Sequence, residues 1–141
     1  EDYTVPFGKA FVRRQGTDCT LISFGRPLHF CFEAAEELAK EGIDCEIIDG
    51  RTIRPLDIDT MVKSVKKTNA CVVVDQSWSF ASIGSEVASQ IHRYCFDDLD
   101  NFVHRVHSDD VPTPYASNLE QAYLPNTRKI CEAVRSATYN T

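Results

Sequence analysis

The sequence predicts an α/β fold: a three-layer α/β/α sandwich around a five-stranded, mostly parallel sheet with one antiparallel edge strand. Three observations carry this reading. Strand-like runs alternate with segments of helical period, which is the pattern of strands joined by crossover helices. Residues 70–75 form a nearly continuous apolar run, Ala70-Cys71-Val72-Val73-Val74 closed by Asp75, as expected of a strand covered on both faces. The first strand precedes any helix and is followed by a turn of a few residues, so it should pair antiparallel, as a hairpin at the sheet edge.

Taken in order, residues 1–8 read as a linker-like lead containing Pro6 and Gly8. Residues 9–13 form a short strand with Phe11 expected to face inward. Gln15-Gly16-Thr17-Asp18 is a turn. Residues 19–24 are a strand ended by Gly25. Over residues 28–41 the period becomes helical, with Leu28, Cys31, Phe32, Ala35, Leu38 and Ala39 on one face and Gly42 as the stop. The strand at 44–48 follows, and Gly50 breaks it. Arg51, Arg54 and Pro55 then form a stiff link ending at Asp57, well placed to cap a helix that buries Ile58, Met61, Val62 and Val65. Lys66 and Lys67 complement the negative end of that helix. After the 70–75 strand, a loop through Trp78 and Phe80 enters a helix near Ser82, with Ile83, Val87, Ile91 and Tyr94 inside. Residues 102–106 are the last strand. A proline-rich crossing, 110–115, leads to a final helix from about Pro125 that buries Ile130, Cys131, Val134 and Ala137.

Composition bounds the function. The chain has 141 residues, 43% of them hydrophobic, enough for one domain with a real core. A net charge of −6 and a pI near 5.1 argue against a nucleic-acid partner. No apolar run approaches the roughly 20 residues of a membrane span, and no targeting segment is recognisable. Six cysteines are scattered without a close pair, so they read as core thiols in a reducing compartment rather than zinc ligands or a redox motif. The chain opens at Glu1 and its one methionine, Met61, is internal, which leads us to expect a longer parent polypeptide or proteolytic maturation.

Candidate chemistry is sparse. Asp49 ends a strand where nucleotide-binding folds place a ribose ligand, but the preceding turn, Gly25-Arg26-Pro27, lacks the glycines that let backbone approach a pyrophosphate. Asp75 stands where a phosphoacceptor would, yet Phe24-Gly25-Arg26 supplies no acid to share a divalent ion, so a hydrogen bond to a neighbouring loop is expected instead. The histidines, His29, His92, His104 and His107, form no nucleophilic triad. Arg51 and Arg54, near Asp49, Asp57 and Asp75, read as structural pairing, with Arg51 the more buried because it directly follows the strand.

The order of landmarks says more. Gly16-Thr17-Asp18-Cys19-Thr20-Leu21-Ile22-Ser23-Phe24-Gly25, then Arg51-Thr52-Ile53-Arg54-Pro55-Leu56-Asp57, then Gly84-Ser85-Glu86, then Asp110-Val111-Pro112-Thr113-Pro114-Tyr115 with Leu119-Glu120 closely resemble the C-terminal, transketolase-like domain of pyruvate dehydrogenase beta subunits. The resemblance implies a linker at 1–8 from a preceding domain and one domain over 9–141. It implies an α2β2 enzyme that decarboxylates pyruvate on thiamine diphosphate with magnesium, both held outside this domain. The partners implied are a twin beta subunit, the alpha subunit and the dihydrolipoamide acetyltransferase core, in the mitochondrial matrix, with bacterial cytoplasm or plastid as alternatives. Branched-chain 2-oxo acid dehydrogenase, or a stand-alone nucleotide-binding or receiver-like module, are the competing functions. No catalytic, cofactor or metal residue is expected here. Interface candidates are Arg51, Arg54, Asp57, Asp75, Glu86, Asp110, Pro112, Tyr115 and Glu120. The tail from Pro125 to Thr141, basic at Arg128 and Lys129, is where docking of the core is expected, with Arg128, Lys129 and Thr141 as its candidates. Relative to that family, Gly50 replaces a bulkier residue, Asp75 a glutamate, and Ser82 and Ser85 a glycine and an alanine.

Overall fold

The structure is a computed structural model in which residues 3–139 are described. Five strands, β1 (Phe11–Arg14), β2 (Cys19–Ser23), β3 (Cys45–Asp49), β4 (Cys71–Trp78) and β5 (His104–Ser108), form one sheet in the order β1-β3-β2-β4-β5. All neighbours are parallel except β1 and β3. β1 is therefore an antiparallel edge as expected, but its partner is β3 rather than the next strand in sequence. The short turn from β1 to β2 does not close a hairpin, because β3 lies between them. The 70–75 run forms an interior strand, β4, between β2 and β5, as expected of a strand covered on both faces, and β2 stands in the middle of the sheet with each of its residues buried.

Helices α1 (Pro27–Lys40) and α5 (Thr127–Ala137) cover one face of the sheet, and α2 (Ile58–Thr68) and α3 (Ile83–Cys95) the other. The pleat divides the strand residues between two cores. Leu21, Ile47, Val72, Val74 and Val106 meet Cys31, Ala34, Leu38, Ile130 and Val134, while Ile22, Ile48 and Val73 meet Met61, Val65, Val87 and Ile91. Burying each of these aliphatic side chains stabilises the fold by about 1.5–3 kcal/mol. No helix among the described residues is long and apolar enough to cross a membrane.

Several local expectations are corrected. Phe11 faces outward, 48% exposed, because Ala10 and Val12 occupy the inner side of the edge. On α1, Ala34 is buried where Ala39 was expected. Tyr94 is exposed and Cys95 takes its place beneath α3. β5 starts at His104: Phe102 is exposed and its ring stacks on His104 at 4.1 Å. A short helix, α4 (Ser117–Tyr123), interrupts the crossing before α5.

All six cysteines are free and buried. Burial pushes the Cys31 and Cys45 thiols up to about 12 and Cys131 to about 11, so at neutral pH they are packing groups rather than nucleophiles.

Candidate functional site

The chain steps from β2 sideways to β3, then crosses back over β2 to β4, so the strand order reverses between β2 and β4. In open α/β sheets ligands bind outside the carboxyl ends of the strands at such a reversal. Here that edge is occupied by the chain's own groups. Ser23 Oγ donates to the Val74 carbonyl at 2.9 Å, and the Gly50 N–H to the Ser23 carbonyl at 2.9 Å. Gly50 is buried against the Phe24 ring, where a Cβ would collide with it, which accounts for glycine at this position.

Asp75 is 3% exposed. Between the pairs Val74–Val106 and Trp78–Ser108, β4 carries two more residues than β5, a bulge at residues 75–77. The Asp75 carboxylate accepts from the N–H and hydroxyl of Ser77 and so closes this bulge of its own strand, rather than reaching a neighbouring loop. Gly84 lies against the same carboxylate, too close for a Cβ. An acid so enclosed offers no approach to a phosphoryl donor. The bulge carries the strand on to Trp78, whose Nε1 donates to Tyr123 Oη at 3.0 Å, while Thr113 Oγ1 donates to the same oxygen at 3.2 Å. These bonds, Thr113 foremost, hold the Tyr123 hydroxyl below its usual pKa. They tie the proline-rich crossing to β4 and α4, and this link left no recognisable mark in the sequence.

The 51–57 loop is fixed at both ends. Arg51 adopts a left-handed backbone (φ 58°), its N–H donating to Asp49 Oδ1 at 3.1 Å. Its guanidinium sits 3.9 Å from Asp49 and 4.6 Å over the Phe11 ring. Thr52 Oγ1 donates to the Pro55 carbonyl and accepts from the Gly8 N–H. Asp57 caps α2 as expected: it accepts from Thr60 N and Thr60 Oγ1, and also from the Ala10 N–H at 3.0 Å, which pins the lead strand. Burial alone pushes the Asp57 carboxyl up, but the bonds from Thr60 and Ala10, with Lys9 nearby, hold it below the usual aspartate value. Of the pairings expected for the two arginines, only Arg51–Asp49 forms. Arg54 is exposed, and its side chain makes no hydrogen bond or ion pair with any described residue.

The other candidates do not gather into one site. Glu86 is exposed in the first turn of α3 and accepts from Gln90 at 2.7 Å. Asp110, Pro112 and Tyr115 are exposed on the crossing, Tyr115 wholly so, and Glu120 is exposed on α4. Arg128 pairs with Glu132 on α5; Lys129 pairs with Asp109 at 3.6 Å and donates to the Ala122 carbonyl. Thr141 lies outside the described residues. Ser82 caps α3, and Ser85 Oγ accepts from Arg105 at 2.6 Å.

One buried polar cluster escaped the sequence reading. Glu46, 2% exposed on β3, pairs with Lys67, accepts from Ser64 Oγ and accepts from the Gly16 N–H. Ser64 and Thr68 in turn share hydrogen bonds with Thr20, each at 2.7 Å. Every member is satisfied, so the cluster joins α2 to the amino-terminal half of the sheet. Ser64, Lys67 and Thr68, spaced at helical intervals among apolar neighbours, were the available signal.

Among the described residues no group of three or more histidine, cysteine, aspartate or glutamate side chains is gathered to hold a metal ion. Asp49, Asp57 and Asp75 each accept from neighbouring backbone N–H groups. Beside exposed charges such as Arg54 and Asp110, the carboxyl edge exposes large apolar side chains: Ile53 at 58%, Phe80 at 85%, Trp78 at 49% and Tyr115. Large exposed aromatic and aliphatic side chains of this kind mark surfaces of contact between proteins.

This architecture defines an α/β domain with a five-stranded mixed sheet between two helix layers, and the sequence places it: residues 8–130 match the family described as transketolase, C-terminal domain, and the chain belongs to it. It is 47% identical over 138 residues to the mitochondrial pyruvate dehydrogenase E1 component subunit beta of Dictyostelium discoideum, covering 98% of this chain and 39% of that protein. It is 44% identical over 139 residues to the pyruvate dehydrogenase E1 component subunit beta of Rhizobium meliloti, covering 99% of this chain and 30% of that protein. The chain thus spans about two fifths or less of the length of these curated relatives. Among solved structures it resembles a split-gene transketolase, an inactive beta4 tetramer, with a TM-score of 0.80 at 24% identity, over 98% of this chain and 44% of that one. That likeness shows the fold.

Proposed function

We infer that this chain is the interaction domain of the beta subunit of a thiamine diphosphate-dependent pyruvate dehydrogenase, serving oxidative decarboxylation of pyruvate toward acetyl-CoA. Its work is to pair with a twin beta subunit, to brace the parts that hold the reacting groups against the alpha subunit, and to dock the dihydrolipoamide acetyltransferase core. One observation carries this reading. At the strand-order reversal between β2 and β4 the carboxyl edge is filled by the chain's own hydrogen bonds, and that edge exposes large apolar side chains. Thiamine diphosphate supplies the carbanion chemistry of such an enzyme, and magnesium anchors its diphosphate. The residues described here do not fit either group, since their carboxylates are engaged locally and gather into no ligand set. The identities to named pyruvate dehydrogenase subunits support pyruvate over branched-chain 2-oxo acids. The mitochondrial relative supports the mitochondrial matrix, with bacterial cytoplasm as the alternative that the Rhizobium relative represents.

Two measurements test the reading. Calorimetry of the 141-residue chain with thiamine diphosphate and magnesium is expected to show no micromolar binding. Sedimentation of the full-length beta polypeptide is expected to show self-association. Tight cofactor binding by the chain alone, or a full-length polypeptide that stays monomeric both alone and with the alpha subunit, overturns it.

A further inference from the structure

The proline-rich crossing runs almost bare over the surface. Residues 109–113 and 115–122 are exposed, Pro114 between them is half-buried, and residues 112–115 take no regular structure. Thr113 stands there between two prolines, Pro112 and Pro114. Proline fixes its own backbone and holds the residue before it extended, so this is a stiff, extended run with a hydroxyl at its centre. That hydroxyl has one partner. Thr113 Oγ1 donates to Tyr123 Oη at 3.2 Å, the same atom that accepts from Trp78 Nε1. Two exposed acids, Asp109 and Asp110, lie just upstream. Lys129, the cation that pairs with Asp109 at 3.6 Å, is also engaged by the Ala122 carbonyl at 2.9 Å.

We propose that Thr113 is a phosphorylation site for a protein kinase that selects proline directly after the acceptor, and that the phosphate unfastens the crossing from Tyr123. Such a kinase takes its substrate extended, and it favours proline at a position where another residue would bury an unpaired N–H. Thr113-Pro114 meets both demands without any unfolding of the chain. The phosphoryl donor is a nucleoside triphosphate. The Thr113 oxygen bonds to the γ-phosphorus, the bond from that phosphorus to the β–γ bridging oxygen breaks, the nucleoside diphosphate leaves, and the hydroxyl proton passes to the kinase's base. Oγ then carries no hydrogen and cannot donate to Tyr123. The added group brings about 1.5–2 negative charges at neutral pH, close along the chain to Asp109 and Asp110, and like charges repel. Few bonds resist the release. The Asp109 N–H donates to the Tyr123 carbonyl at 3.2 Å, and α4 has no side-chain cap and buries only Tyr123. Trp78 and Tyr115 belong to the exposed apolar surface of the carboxyl edge, so the modification acts on the free polypeptide, before a partner covers that surface. It uses only this chain's own bonds and so goes beyond the beta-subunit reading.

The test treats the full-length polypeptide with a proline-directed serine/threonine kinase and magnesium ATP, then reads peptide mass and amide hydrogen exchange. Phosphate is expected on Thr113 and is expected to be absent from the same peptide of Thr113→Val. Pro114→Ala keeps the acceptor hydroxyl and its bond to Tyr123 but removes the proline, and should slow modification at least about tenfold. In the phosphorylated polypeptide the protected amides of residues 109–124 should exchange at least about tenfold faster, while those of residues 71–74 in β4 stay unchanged. A Thr113 that stays unmodified, a Pro114→Ala variant modified as fast as the parent, or exchange over 109–124 that the phosphate leaves unaltered overturns the proposal. So does an equal rise over 71–74, the mark of general unfolding rather than a released crossing.

Discussion

Replacing Asp57 by alanine removes two supports at once. The α2 cap is lost, which costs about 1 kcal/mol, and so are the charge-assisted bond from Ala10 and the partner of that half-buried N–H, about 2 kcal/mol more. The total is about 3 kcal/mol. For a domain of this size unfolding entropy is about 2.1 cal/mol/K per residue, so the thermal midpoint should fall by about 10 °C. Asp57→Asn retains a capping oxygen, but its single carbonyl cannot serve both Thr60 and Ala10. It should lose about half as much. The carboxyl is held below its ordinary pKa, so its contribution is complete above the unfolded-state value near 4 and is lost as pH falls through the lower folded value. The parent should therefore show a steeper loss of stability below pH 4 than Asp57→Asn. Thermal melts by circular dichroism between pH 3 and 7 measure both effects. An alanine variant within 2 °C of the parent, or an asparagine variant as unstable as alanine, would refute the reasoning.

Three further outcomes follow from the same geometry. Arg51→Ala, which loses the Asp49 pairing and the stack over Phe11, should cost about 1 kcal/mol, against less than about 0.5 kcal/mol for Arg54→Ala, whose side chain has no partner among the described residues; equal melting midpoints would contradict this ordering. Gly50→Ala should destabilise by about 1–3 kcal/mol through collision with the Phe24 ring, and adding Phe24→Leu should restore part of the loss in urea melts. Burial lowers the pKa of His104, whose Nε2 has no partner, so its contribution is complete above the unfolded value near 6.5 and is lost as pH falls through the folded value. His104→Phe should flatten the melting profile between pH 7 and 5; an unchanged slope assigns that acid sensitivity to other groups.

Much of the architecture was legible because it rests on local signals. The period change at Leu28, the stop at Gly42 and the cap at Asp57 each act over one turn of chain, and each stands where the pattern put it. What failed depends on distant partners. Nothing within residues 9–14 says that β1 pairs with β3, because that choice is made by the sheet edge left open after β3 has paired with β2. Helix α4 has no side-chain cap and buries only Tyr123, so it carries no apolar stripe to read. Phe102 looked like strand interior, but its ring lies on His104 at the surface. At the candidate site the landmarks around Arg51, Arg54 and Asp57 identified the loop, whereas the partners of Asp75 and Glu46 came into view only once the bulge and the packing of α2 were known.

The placement of β1 has a consequence for how the domain keeps itself apart from other chains. Without that short strand, the buried β3 would offer a bare row of amide and carbonyl groups to any extended peptide in solution. β1 acts as a shutter over it, latched by the Ala10–Asp57 bond and studded outward with Arg13. Loosening the latch should therefore show itself first as fibril or dimer formation through strand exchange, before any change in the rest of the sheet.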